Sequence, residues 1–154
     1  MAKIDSVVRM AGLLALVVVW GCGDGPTALS STTMHSARAR WEATGIQDYR
    51  YEFRQQCECG PALAEAAIVE VRGGTVTNVS NRDSGIPAAS DERRLFPTID
   101  DLFDRIDDAI RRNAASLVVS YDDDLGYPTL ISIDYDVQVI DDEVAIDASA
   151  LAPL

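Results

Sequence analysis

The sequence predicts an α+β domain: an antiparallel sheet of about six strands with two helices on one face, in the order helix, three strands, helix, three strands. Three observations carry that expectation. Strand-type alternation runs through Tyr49–Phe53, Leu117–Tyr121 and Ile131–Tyr135. A helical apolar stripe joins Ile99, Leu102, Phe103, Ile106 and Ile110. Turn signals, Gly73-Gly74 and the run Asp122–Pro128, stand between apolar segments.

The run Leu117–Tyr135 reads as a hairpin around which the other elements are arranged. Leu117, Val119 and Tyr121 alternate with Val118 and Ser120; Ile131, Ile133 and Tyr135 alternate with Leu130, Ser132 and Asp134. Apolar residues stand on both faces near its start, so the hairpin is expected well inside the sheet.

The chain opens with Lys3 and Arg9, an uncharged apolar run Met10–Trp20, and Gly21-Cys22. This is the layout of a secretory signal, and the run is too short for a permanent span. Val19-Trp20-Gly21-Cys22 resembles the lipobox of bacterial lipoproteins, although Trp20 stands where a small residue is usual. Residues 1–21 are therefore expected to be a lipoprotein signal peptide and Cys22 the lipidation site. Residues 22–32, rich in Gly, Pro, Ser and Thr, form a flexible tether, and 33–154 form one α+β domain. The protein is expected in the cell envelope, lipid-anchored and facing the periplasm or the exterior.

Removal of the 21 leader residues from 154 leaves 133, enough for one core. The net charge is −12, and the leader holds Lys3 and Arg9 against Asp5, so the remainder stands near −13. Such a surface disfavours nucleic acid and anionic headgroups. Membrane contact is accordingly assigned to lipid on Cys22.

Thr33–Thr44 reads as a helix with Met34, Ala37 and Trp41 on one stripe, ended by Gly45. His35, the one histidine, is expected in solvent. In Tyr49–Cys59 the residues Tyr49, Tyr51, Phe53, Gln55, Cys57 and Cys59 share one face. Cys57 and Cys59 are the two thiols left once Cys22 takes lipid, in an oxidising compartment. A straight strand sets residues two apart at about 6.6 Å between Cα atoms, near the upper limit of roughly 6.8 Å for a disulfide. A local disulfide is the leading assignment, with the strand bending into Gly60-Pro61; packed free thiols, a soft-metal site and a redox couple are the alternatives.

Ala67–Ser80 reads as a hairpin turning on Gly73-Gly74. Pairing Val71 with Val76 puts Val79 on the other face, so either a bulge falls near Thr77-Asn78 or Val79 lies beyond regular pairing. Asn81–Arg94 is a polar connector, long enough to be mobile or functional. Thr98–Asn113 is a helix in which Thr98 and Asp101 make a capping box and Arg111 and Arg112 sit at the negative end. Val144, Ile146 and Ala148 alternate as a last strand, leaving Ala150–Leu154 as a tail.

The ordered set Trp41, DYRYEF at 48–53, Cys57-x-Cys59, VEVRGGTV at 69–76, FPTIDDLF at 96–103 and YDDDLGYP at 121–128 with Asp134 resembles a family of bacterial lipoproteins grouped as a domain of unknown function. The resemblance spans about residues 36–150 and implies an envelope lipoprotein without assigned catalysis. At the level of fold alone, the arrangement is similar to lipoproteins of the outer-membrane assembly accessory and β-lactamase-inhibitor-like group and to PepSY-like domains.

Two functions are compatible with the sequence. The first is a non-catalytic envelope module that binds a protein or peptide partner: there is no Ser-His-Asp or Cys-His set and no phosphate-cradling glycine loop. No cofactor is implied. The second is a calcium-dependent module in which Asp122, Asp124 and Asp134 hold Ca2+; Asp122-x-Asp124-x-Gly126 matches part of a calcium loop but lacks its later bidentate glutamate.

Overall fold

The structure, a computed structural model, describes residues 26–56, 63, 65–139 and 143–154. It comprises α1 (Pro26–Thr44), β1 (Tyr49–Gln56), β2 (Ala67–Arg72), β3 (Thr75–Asn81), a 3-10 turn (Arg93–Leu95), α2 (Ile99–Arg111), β4 (Ser116–Tyr121), β5 (Pro128–Asp134) and β6 (Val144–Pro153). The strands form one six-stranded antiparallel sheet in the order β3-β2-β1-β6-β5-β4. The expected α+β class and element order hold.

Alternation in β1 buries Tyr49, Tyr51, Phe53 and Gln55. Tyr49, Tyr51 and Phe53 meet Val69, Val71, Ile131, Ile146 and Phe103 in one core between sheet and helices. Trp41 closes it from α1, edge-on to Tyr49 at 5.4 Å between ring centroids, and donates its indole N–H to Asp100. In α2 the buried stripe is Ile99, Leu102, Phe103, Ile106 and Ala109, while Ile110 is half-buried. Thr98 accepts from the Asp101 N–H, and the Asp101 carboxylate accepts from the Thr98 N–H, so the capping box is complete.

The β2–β3 hairpin turns on Gly73 and Gly74, both at positive φ, as a tight turn between right-twisted strands requires. Glu70 faces Asn78 and Val71 faces Val76, so Thr77 is the extra residue of a bulge. That bulge returns Val79 opposite Val69 and into the core.

Three expectations are corrected, and the course of the connector after β3 is added to them. α1 begins at Pro26, not Thr33, because proline at the first helical position has a preset φ and no N–H to leave unpaired, so residues 26–32 are helical backbone. The hairpin Leu117–Tyr135 lies at one side of the sheet: β4 is an edge strand, with Val118 54% exposed. The centre belongs instead to β1 and β6, the first and last strands. Ala150–Leu154 is no tail, since Ala152 pairs with Arg50 and Pro153 with Tyr49. Finally, the connector after β3 folds back along that strand's outer edge. Asn81 Oδ1 accepts from Asp83 N and Ser84 N, Ser80 bridges Pro87, and Arg93 donates to the Thr77 carbonyl.

Candidate functional site

Both helices cover the same face of the sheet, and among the described residues no helix covers the opposite face. On that face β1 presents Arg50, Glu52 and Arg54, the residues that alternate with its buried aromatics. Pairing with β6 sets Glu52 beside Ser149 and Arg54 beside Asp147. Thr129 from β5 and Arg82 from just beyond β3 complete the walls of a groove of about 400 Å³.

Two ion pairs span this groove. Arg54 reaches Asp147 at 3.0 Å, and Arg82 reaches Glu52 at 3.4 Å while holding Asp83 at 3.0 Å. The Arg82 guanidinium is held above its ordinary pKa, first by hydrogen bonds to Asp83 and Glu52. Each pair is exposed enough for solvent to screen it, so neither contributes much to stability. Arg54, Asp147, Arg82 and Glu52 all line the groove.

A second groove of about 410 Å³ lies at the start of α2, between Gly74, Thr75, Arg93, Arg94, Thr98 and Asp101. Asp101 and Thr98 already satisfy that helix end. The groove on the open face is therefore the better candidate.

The acidic hairpin is organised as a turn. Asp122 Oδ1 accepts from Asp124 N and Leu125 N, and the Asp122 N–H donates to the Tyr127 carbonyl. Asp134 lies at the far end of the same strand pair, opposite Ser116. The expected grouping of Asp122, Asp124 and Asp134 is thus not formed: strand register puts the length of the hairpin between them. Among the described residues no group of three His, Cys, Asp or Glu side chains is placed to hold a metal ion. His35 is exposed on α1 and bonds the Ser31 carbonyl within its own helix. Cys22, Cys57 and Cys59 lie outside the described residues.

Alternation with the shared face of Tyr49–Cys59 leaves Glu52 and Arg54 outward, but nothing local in the sequence singles them out as part of a site. The β1–β6 pairing that brings Asp147 and Ser149 to them joins residues nearly the whole domain apart, and no local pattern announces it.

The molecule is thus a single-sheet α+β module with one face sealed by helices and the other carrying a charged groove over its central strands. The chain belongs to a family of unknown function, DUF6174, whose model matches residues 33–153. Comparison with curated proteins and with solved structures gives no match.

Proposed function

We propose that this protein is a lipid-anchored, non-catalytic binding module of the bacterial cell envelope that engages a protein or peptide partner on the open face of its sheet. The observation that carries the reading is the groove across β1 and β6, where Arg54–Asp147 and Arg82–Glu52 frame an uncovered stretch of sheet. A segment with its own alternating charges can exchange partners with these pairs, which favours register and specificity over raw affinity. The leader ending in Gly21-Cys22 supports export and anchoring, and the excess of acid supports a partner other than nucleic acid. Among the described residues no helix is long and apolar enough to cross a membrane, so in this reading lipid on Cys22 holds the module at the bilayer.

Two measurements test the reading. Cys22→Ala should move the protein out of the membrane fraction or leave it as an unprocessed precursor; wild-type fractionation and migration would remove the anchor. A photo-crosslinking residue at Ser149 should give an envelope adduct that one at Asp107, on the outer face of α2, does not. Equal adducts at both positions would remove the groove as the binding surface.

A further inference from the structure

We infer that β4 is a homodimerisation edge, at which a second copy of this chain adds its own β4 in antiparallel register about a two-fold axis through Val118. The two edges of the sheet are treated differently. The β3 edge is closed by its own chain through the Ser80–Pro87 bridge, the Ala88 N–H to the Val79 carbonyl, and Arg93 to the Thr77 carbonyl. Among the described residues no strand pairs with the outer side of β4. β4 also lacks the devices that keep an edge single: Ser116–Tyr121 reads SLVVSY, without charge, proline or glycine, and its one irregularity falls at the Tyr121 end.

A second copy fits that edge. With Val118 on the axis, Ser116 faces Ser120 of the other chain and Leu117 faces Val119, so opposed residues lie on the same face of the joined sheet and no like charges meet. Val118, more than half exposed in one chain, is then covered by its own copy. Antiparallel addition also brings the exposed Asp123 and Asp124 of each turn to the end where the other chain carries Arg111 and Arg112. An axis perpendicular to the sheet keeps both helix layers on one side and both grooves on the other. Both chains then enter through α1 on the same side, which suits two anchors in one bilayer; this last point rests on the anchored reading, whereas the edge itself does not.

Six residues of edge bury far less than the roughly 1,600 Å² of a standard stable interface. Pairing is therefore expected where short tethers raise the local concentration toward the millimolar range. The test is made on the full chain in its own membrane, with Val118→Cys and a short thiol-to-thiol crosslinker. The parent chain sets the background from its own cysteines, and Arg50→Cys, exposed at mid-sheet, sets the rate of chance collision. A homodimer at least tenfold above both supports the edge. A second variant carrying Ser116→Cys with Ser120→Cys should crosslink likewise, and adding Val118→Lys to it should cut the dimer at least tenfold. Dimer no greater than for Arg50→Cys overturns the inference. So does a Val118→Cys adduct of heterologous mass, which would give the edge to a different protein. Cys22→Ala fractionation reads the anchor separately, and the same crosslinking on concentrated purified full chain reads the edge without a membrane, so the two readings fail independently.

Discussion

Gly126 packs its α-carbon directly against the Ala37 carbonyl of α1, at the point where the helix crosses the β4–β5 turn. A Cβ there would meet that oxygen, and would lie 2.9 Å from Arg40 Cβ and 3.2 Å from the Trp41 nitrogen. Gly126 also holds φ at +82°, a conformation that side chains disfavour. Gly126→Ala is expected to cost roughly 2–4 kcal/mol, by backbone strain and overpacking together. Chemical denaturation measures it; a loss under about 0.5 kcal/mol would mean that α1 does not sit on this turn.

Phe103 is wholly buried, stacked at 15° on Tyr121 with ring centroids 6.2 Å apart, and joins α2 to the β4 end of the sheet. Phe103→Ala should cost about 3–5 kcal/mol. The same substitution should loosen the edge strand, so amide exchange in Ser116–Tyr121 is expected to rise more than in β2. Uniform acceleration across all strands would contradict this coupling.

Deletion of Leu151–Leu154 separates a tail from a strand. These residues pair Ala152 with Arg50 and Pro153 with Tyr49, bond Leu154 N to the Asp48 carbonyl, and give Tyr127 a backbone partner at Leu151. Loss of several backbone hydrogen bonds at about 1 kcal/mol each, plus the exposed aromatic edge, predicts a cost of roughly 2–4 kcal/mol. An unchanged melting temperature would restore the tail.

Alkaline pH should unfold the domain through its tyrosines. Burial raises Tyr49 and Tyr121 to about 12, and raises Tyr51 well above its ordinary value of 10.0. In each case the folded state holds its proton more tightly than the unfolded chain does. The associated stability is complete below the unfolded value and is lost as pH climbs from about 10 toward 12. Tyrosinate absorbance and far-ultraviolet circular dichroism should then change together. Ionisation of all five tyrosines near pH 10, with the fold intact, would contradict the buried placement.

Cys57 and Cys59 follow β1 in the sequence, and under the proposed export their oxidation is favoured. The disulfide reading predicts that native protein resists alkylation until reduced. Because the ring is short, Cys57→Ser with Cys59→Ser should lower stability by well under the roughly 3 kcal/mol of a 15-residue loop. Two modified thiols in unreduced protein, by mass spectrometry, would favour the packed-thiol or soft-metal alternative.

The sequence by itself determined what local physics decides. Alternation in Tyr49–Phe53 assigned a strand and its buried face, because successive side chains of a strand must point opposite ways. The Ile99–Ile106 stripe, with Thr98 and Asp101 before it, assigned a helix and its cap, and Gly73-Gly74 set a turn that left Val79 either behind a bulge or beyond regular pairing, a choice the β2–β3 register made in favour of the bulge at Thr77. Only the tertiary structure decided which strands sit at the centre. Leu117–Tyr121 carries bulkier apolar side chains than Ala148–Leu154 yet takes the edge, because β1 and β6 pair across nearly the whole domain and no periodicity encodes a partner so far away. The same long-range pairing sets Asp147 against Arg54 to build the groove, and register along β4 and β5 keeps Asp134 from Asp122. Neighbours along the chain select the elements; the shared demand of every buried face for cover selects their arrangement.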